Sequence, residues 1–233
     1  MYLLIIHLVI FLTIFLILHR INGTEHFTKK LEFSLYNIDN KLIENTTWEY
    51  SEQLILKNYI KKSDNVLQLG GNIGASCILL DKILNKNSNN ICVEPNSKVI
   101  KTLYKNKKLN KCNFNILYGV ISDKTDLKLT NDGENKSLNF YGSRITDNGT
   151  ESVKSFPLRS IKNINTVNVL FADCEGCLEQ FLDEYESFLE QLRLVIYEQD
   201  QSHLCDYDKI KSKLEQNGFK MIEHSGQNIV WEK

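Results

Sequence analysis

The chain has 233 residues, 42% hydrophobic and 24% charged, and its 28 lysines and arginines against 29 acids leave a formal charge of −1. That balance excludes a domain built to neutralise many backbone phosphates, so nucleic acid is not an expected partner. The apolar fraction supports a sizeable core, which excludes wholesale disorder, and the length fits one to two domains.

Residues 1–18 read MYLLIIHLVIFLTIFLIL, with His7 and Thr13 as the polar interruptions. As a helix they would span about 27 Å, close to the hydrocarbon thickness of a bilayer. A cleaved signal peptide would carry a positive leader and small residues at the cut, and a buried core helix would show a polar stripe. Residues 1–19 are therefore expected to be a transmembrane anchor. Arg20, Lys29 and Lys30 follow the span and no cation precedes it, so the positive-inside bias puts the rest in the cytosol. The six cysteines, Cys77, Cys92, Cys112, Cys174, Cys177 and Cys205, are expected to be reduced and buried, in keeping with that side. The sequons at Asn22, Asn45, Asn135 and Asn148 are what a chain with 25 asparagines produces by chance.

Residues 20–48 are polar and aperiodic and read as a neck; residues 49–233 read as one α/β domain. Val66–Leu69 is the first predicted strand, closed by Gly70-Gly71, and Ala75–Leu84 the helix after it. Ile91–Val93 is the second strand, stopped at Glu94-Pro95. Asn96 is placed to cap a helix through Leu109. Phe114–Ile121 reads as a third strand. Residues 123–160 break the rhythm with Asn131-Asp132-Gly133 and Asp147-Asn148-Gly149 and read as a loop or hairpin insertion over a site. Val167–Ala172 is an uninterrupted apolar strand, as one buried on both faces would be. Leu178, Phe181, Leu182, Tyr185, Phe188, Leu189 and Leu192 share one helical stripe. Leu194–Tyr197 is a fifth strand, and a helix from Tyr207 ends at Asn217-Gly218. Phe219–Ile222 and Asn228–Trp231 flank a Ser225-Gly226 turn, so the last strand must run against its predecessor.

Open α/β sheets bind ligands outside the carboxyl ends of their strands. Standing there are Gly70-Gly71-Asn72-Ile73-Gly74, then Glu94, then Asp173, Glu175 and Gly176, then Glu198, Asp200 and His203. Glycines let backbone approach a ligand, and a carboxylate at Glu94 suits the two ribose hydroxyls of an adenosine-containing cofactor. A dinucleotide fingerprint would need glycines at positions held by Asn72 and Ala75. The acidic rim would repel a pyrophosphate and attract a sulfonium bearing an amino group. Both points favour S-adenosylmethionine over a nicotinamide cofactor, and so a transferase over an oxidoreductase.

Three segments, Gln68-Leu69-Gly70-Gly71-Asn72-Ile73-Gly74, Val93-Glu94-Pro95 and Phe171-Ala172-Asp173-Cys174-Glu175-Gly176, resemble the FkbM-type methyltransferases over roughly residues 60–200. Gln68 stands where that family carries an acidic residue and Gly71 where it carries alanine. The resemblance implies a class I, Rossmann-like fold: a seven-stranded, mostly parallel sheet with an antiparallel last strand. It also implies methylation of a hydroxyl on a small molecule, sugar or glycan. Gln68, Gly70, Asn72, Gly74, Glu94 and Asp173 are the candidate cofactor ligands, and Glu175, Glu198 and His203 the candidate proton acceptors. A divalent ion on Asp173, Glu175, Glu198 or His203 is chemically possible, but no metal is assigned. Lys101, Lys105, Lys107, Lys108 and Lys111 read as a solvated helix face. The alternative to an enzyme is a non-catalytic interaction module, motivated by Gln68.

Overall fold

A computed structural model describes residues 33–43, 49–131, 143–146 and 148–233. The expected anchor at 1–19 and residues 20–32 and 44–48 of the neck lie outside these. Among the described residues no helix is long and apolar enough to cross a membrane.

The domain alternates strand and helix as its pattern predicts. Helix α1 (Tyr50–Tyr59) precedes β1 (Val66–Leu69), α2 (Ala75–Ile83), β2 (Asn90–Glu94), α3 (Ser97–Leu109) and β3 (Asn115–Tyr118). A region of short strands follows: β4 (Val120–Ile121), β5 (Lys128–Asn131), β6 (Ser143–Ile145), β7 (Glu151–Ser152) and β8 (Ser155–Phe156). The chain then resumes with β9 (Val169–Ala172), α4 (Cys177–Glu184), β10 (Leu194–Glu198), α5 (Tyr207–Gln216), β11 (Lys220–Ser225) and β12 (Asn228–Glu232). Seven strands form the main sheet in the order β11-β12-β10-β9-β1-β2-β3. Every pairing from β10 through β3 is parallel, and β12 runs antiparallel to both neighbours. The expected mostly parallel sheet with a reversed last strand is present.

Side chains alternate across this sheet and feed two cores. Leu67, Leu69, Leu170, Val195 and Trp231 pack with Leu178, Phe181, Ile210 and Leu214 of α4 and α5. On the other face Val66, Phe171, Ile196 and Val230 pack with Ile55, Leu56, Ile78 and Leu103 of α1, α2 and α3. Burial on both faces explains the unbroken apolar runs in β1 and β9.

Four local features depart from the expectation. The third strand divides at Gly119, whose φ of +149° and closeness to the Lys154 carbonyl let β4 turn away and pair with β8. The apolar stripe from Leu178 to Leu192 is not one helix. It breaks at Tyr185 (φ −135°, ψ 42°) into α4 and a 3-10 segment, Glu186–Gln191. The stripe still faces inward because Phe181 contacts both Tyr185 and Phe188, with ring centroids 5.4 and 5.9 Å apart. The insertion is a small sheet, ordered β6-β5-β7, anchored by the fully buried Leu129. Finally, residues 33–43 of the neck dock on α3. The Asn106 side chain accepts from the Tyr36 N–H at 3.0 Å and donates to the Tyr36 and Ile73 carbonyls, and Leu35 is fully buried.

Candidate active site

The first turn is shaped by close packing. Gly70 has φ +87°, and a Cβ on it would stand 1.7 Å from the Asp173 carbonyl oxygen. Strands β1 and β9 thus exit the sheet side by side only because this residue is glycine. Asn72 follows with φ +44°, a left-handed conformation that asparagine accepts more readily than most residues. Gly74, φ +98°, opens α2, where a Cβ would meet the Leu103 side chain at 2.7 Å.

Glu94 locks this turn to β2. It is buried, and its Oε2 accepts the N–H groups of Gly71 at 3.1 Å and Asn72 at 2.6 Å. Its Oε1 accepts the Asn96 N–H at 2.7 Å, while the Asn96 side chain caps α3. Burial lifts the Glu94 carboxyl above its ordinary range, against the downward pull of those three N–H groups. Three of about four acceptor positions on the carboxylate are taken, so one remains for a ligand.

A cavity opens at these strand ends. Its floor is Leu69, Gly70 and Asn72, one side is Val93, Glu94, Pro95 and Val99, and the opposite wall is Asp173, Cys174, Glu175, Cys177, Gln180 and Phe181. The insertion forms the roof through Leu127, Leu129, Ser143, Arg144 and Ile145. It is tied down where Asn96 Nδ2 donates to Ser143 Oγ at 2.7 Å. The lining is largely apolar with a few convergent polar groups, the usual make-up of a small-molecule site.

Five of the nine predicted site residues line this cavity: Gly70, Asn72, Glu94, Asp173 and Glu175. Gly74 acts one layer back, starting α2. Gln68 is fully buried beneath the turn. Its amide nitrogen donates to the Gly70 carbonyl at 2.7 Å and to Ser76 Oγ at 2.6 Å, so it braces the turn and is not part of the lining. Glu198 is outside the lining but hydrogen-bonded to Asp173. His203 is exposed and borders a separate shallow depression with Asp206 and Asp208.

The expectation of six reduced cysteines needs correction. Cys77, Cys92, Cys112 and Cys205 are free and buried, but Cys174 and Cys177 form a disulfide in the cavity wall. Glu175 and Gly176 both have positive φ (56° and 85°), which folds the chain back and brings the two Cα atoms to 5.4 Å. The argument from reduced cysteines to a cytosolic location loses its premise here. The flanking charges remain.

Sequence reasoning missed two groups. The roof residues, Arg144 and Ser143 among them, sit in an insertion without motif; its signal was the alternation around Leu127 and Leu129. Glu52, on α1, is buried with its Oε1 lacking a hydrogen-bond partner. It was hidden because α1 carries no pattern recognisable as part of a site. Its carboxyl is pushed well up, first by burial and then by Glu49 and Glu198. Asp173 is pushed up in the same way, by burial and then by Glu52, Glu198 and Glu49.

No family model matches the sequence, and no curated protein matches it. Among solved structures, the chain is similar to a precorrin-6y C5,15-methyltransferase from Geobacter metallireducens (12% identity, 86% of this chain and 92% of that one, TM-score 0.48). It is similar to a putative O-methyltransferase from Klebsiella pneumoniae (11%, 81% and 80%, TM-score 0.46). A third likeness is to Aeropyrum pernix fibrillarin, solved with natively bound S-adenosyl-L-methionine (14%, 78% and 73%, TM-score 0.43). At these identities and TM-scores the likenesses carry no argument about activity, which must come from the chain's own topology and cavity.

Proposed function

We propose that the chain is an S-adenosylmethionine-dependent O-methyltransferase acting on a hydroxyl acceptor such as a sugar or glycan, tethered to a membrane by residues 1–19. The flanking cations favour a cytosolic catalytic domain. One observation carries the catalytic reading. Glu94 is held under the glycine turn by two of the turn's N–H groups, at the edge of an apolar cavity whose far wall is acidic.

The residues present fit the cofactor. Glu94 retains acceptor capacity for a ribose hydroxyl, and Val93, Pro95 and Val99 offer an apolar surface for a flat base. The acidic wall suits a cationic methionine end. When bound, the cofactor supplies an electrophilic methyl group on a positively charged sulfur. The protein's part is to align an acceptor oxygen with it and to exclude water, and positioning of that kind can account for most of the acceleration. The roof strands β5 and β6 supply the enclosure. Glu175 is the carboxylate placed to take the acceptor's proton: it lines the cavity, and Gln201 Nε2 donates to its Oε2 at 2.5 Å, fixing its orientation.

The non-catalytic alternative rested on Gln68. Because Gln68 braces the turn from below, its missing charge leaves the cavity open, and the enzyme reading is preferred. The test is isothermal titration of the purified chain with S-adenosylmethionine and S-adenosylhomocysteine, followed by labelled-methyl transfer onto glycans, lipids and proteins of the source cell. Absence of binding for both compounds overturns the proposal.

A further inference from the structure

A second polar centre, of three half-buried carboxylates, adjoins the cavity at the ends of β9 and β10. Asp173, Glu198 and Asp200 bring one carboxylate oxygen each to within 4.8 Å of one another. Three carboxylates at that spacing repel strongly unless protons or a cation intervene. The largest charge effects on Asp173 come from carboxylates: Glu52, Glu198 and Glu49.

Two buried residues near this cluster each carry an oxygen without a hydrogen-bond partner. Glu52 is 4% exposed and its Oε1 has no hydrogen-bond partner; its carboxylate interacts electrostatically with both Asp173 and Glu198. Asn228 is 5% exposed and its Oδ1 is likewise unpartnered. It stands directly opposite Glu198 in the antiparallel β10–β12 register, so the two side chains leave the same face of the sheet as near neighbours. A buried acceptor left without a donor costs roughly 1–3 kcal/mol, and more for a charged group. Two such acceptors beside three clustered carboxylates form a site that lacks positive charge. The groups are all oxygens, with no thiolate or imidazole among them, which selects a hard cation over zinc or copper.

We propose that Asp173, Glu198 and Asp200, supported by Glu52 and the Asn228 carbonyl, bind one hard divalent cation of the Mg²⁺, Mn²⁺ or Ca²⁺ class. This set differs from the ligands considered from sequence. Glu175 and His203 drop out, and Asp200 enters. Asp200 Oδ1 accepts from the Tyr207 hydroxyl at 3.2 Å, which orients that carboxylate from behind. The cation would place positive charge beside Asp173 and hold α1 against the sheet. The inference does not rest on the methyltransferase reading, because the binding test needs no cofactor.

The experiment is titration of the full chain, purified in mild detergent and stripped with EDTA, with MnCl₂ at pH 7.5. Free Mn²⁺ is read by electron paramagnetic resonance. We expect one saturable Mn²⁺ per chain, at least tenfold weaker binding in each of Glu198→Gln and Asp200→Asn, and no change in the exposed control Glu215→Gln. Thermal unfolding in EDTA separates lost ligands from lost folding: each neutralising variant should melt no lower than the parent, since it removes a repelling charge. No saturable binding, or binding that both variants leave intact, overturns the proposal. A variant that melts lower in EDTA than the parent also overturns it, because the carboxylates would then be stabilising without a cation.

Discussion

Gly70 offers a test of how the two halves of the site are joined. Replacing it with alanine adds a Cβ at φ +87°, 1.7 Å from the Asp173 carbonyl oxygen. Gly218→Ala is the matched control: its φ of +84° is nearly the same, but nothing lies within 4 Å of the added carbon. Left-handed backbone costs a residue with a side chain about 1–2 kcal/mol, and the stiffer unfolded chain returns about 0.4–1 kcal/mol, so Gly218→Ala should cost about 1 kcal/mol. Gly70→Ala carries the same strain plus a collision with backbone, which cannot rotate away as a side chain can. Forced overpacking adds about 1–3 kcal/mol, for a total near 3 kcal/mol. In a chain of this length each kcal/mol lowers the melting temperature by roughly 2–4 °C. Thermal unfolding should therefore show a drop of about 2–4 °C for Gly218→Ala and about 6–12 °C for Gly70→Ala. Equal drops in the two variants would refute the reasoning, because they would mean that β1 and β9 do not depend on the glycine for their approach.

Other expectations follow from the same geometry. Glu94→Gln places an amide among three N–H donors that now share a carboxylate, and should weaken S-adenosylmethionine binding by about 1.5–3 kcal/mol, or roughly 10- to 150-fold, in a calorimetric titration. Arg193 donates to the buried Asp64, whose carboxyl burial alone would raise but which Arg193 and the Lys61 N–H hold below its ordinary range. Arg193→Met should cost roughly 3–5 kcal/mol by leaving that charge unpaired, and Asp64→Leu added to it should recover much of the loss in thermal unfolding. Glu52 and Asp173 have raised carboxyls in the fold, from burial first and neighbouring carboxylates second, so their protonated forms favour the folded state. Their contribution is full below the ordinary carboxylate values of 4.5 and 3.8 and is lost as pH rises through the raised ones. In EDTA, parent stability should fall relative to Glu52→Gln with rising pH; a constant difference between the two would contradict the buried, like-charged setting.

The elements that the sequence makes legible are those whose signal is local. Period-two and continuous apolar runs place β1, β2, β9 and β10 within a residue or two, and the Asn217-Gly218 stop and the Gly226 turn deliver the reversed β12. The glycine turn and Glu94 are readable because each obeys a constraint carried by its own residue type. What was not legible depends on partners distant in sequence. Gln68 looks like a ligand until Ser76 and the Gly70 carbonyl take its amide protons. His203 looks placed at a strand end until the loop after β10 carries it to the surface. The Cys174–Cys177 bond needs the paired positive φ angles of Glu175 and Gly176, which nothing in a cysteine count reveals. Glu52 belongs to a helix whose pattern is that of an ordinary cover, and it becomes part of a site only when β9 and β10 end beneath it.

That last point bears on how one sheet edge serves two purposes. Alternation sends Gln68, Glu198 and Asn228 to the α1 side of the sheet, where much of the face is apolar; Gln68 and Asn228 are buried there and Glu198 is half-buried. Gln68 places its amide protons on the Gly70 carbonyl and Ser76, while its Oε1 has no hydrogen-bond partner. Ser76 hydrogen-bonds the overlying Glu52, and the Arg193–Asp64 pair sits at the opposite end of the strands. Asp173 belongs to both regions, lining the cavity and joining the carboxylate cluster. A cation bound there would hold Asp173 ionised, and with it the negative wall on which recognition of a cationic cofactor depends. Protons in the cation's place would neutralise the same wall. The charge state of the cluster and the affinity of the cavity are therefore linked through a single side chain, and Mn²⁺ should strengthen S-adenosylmethionine binding in the parent but not in Asp200→Asn.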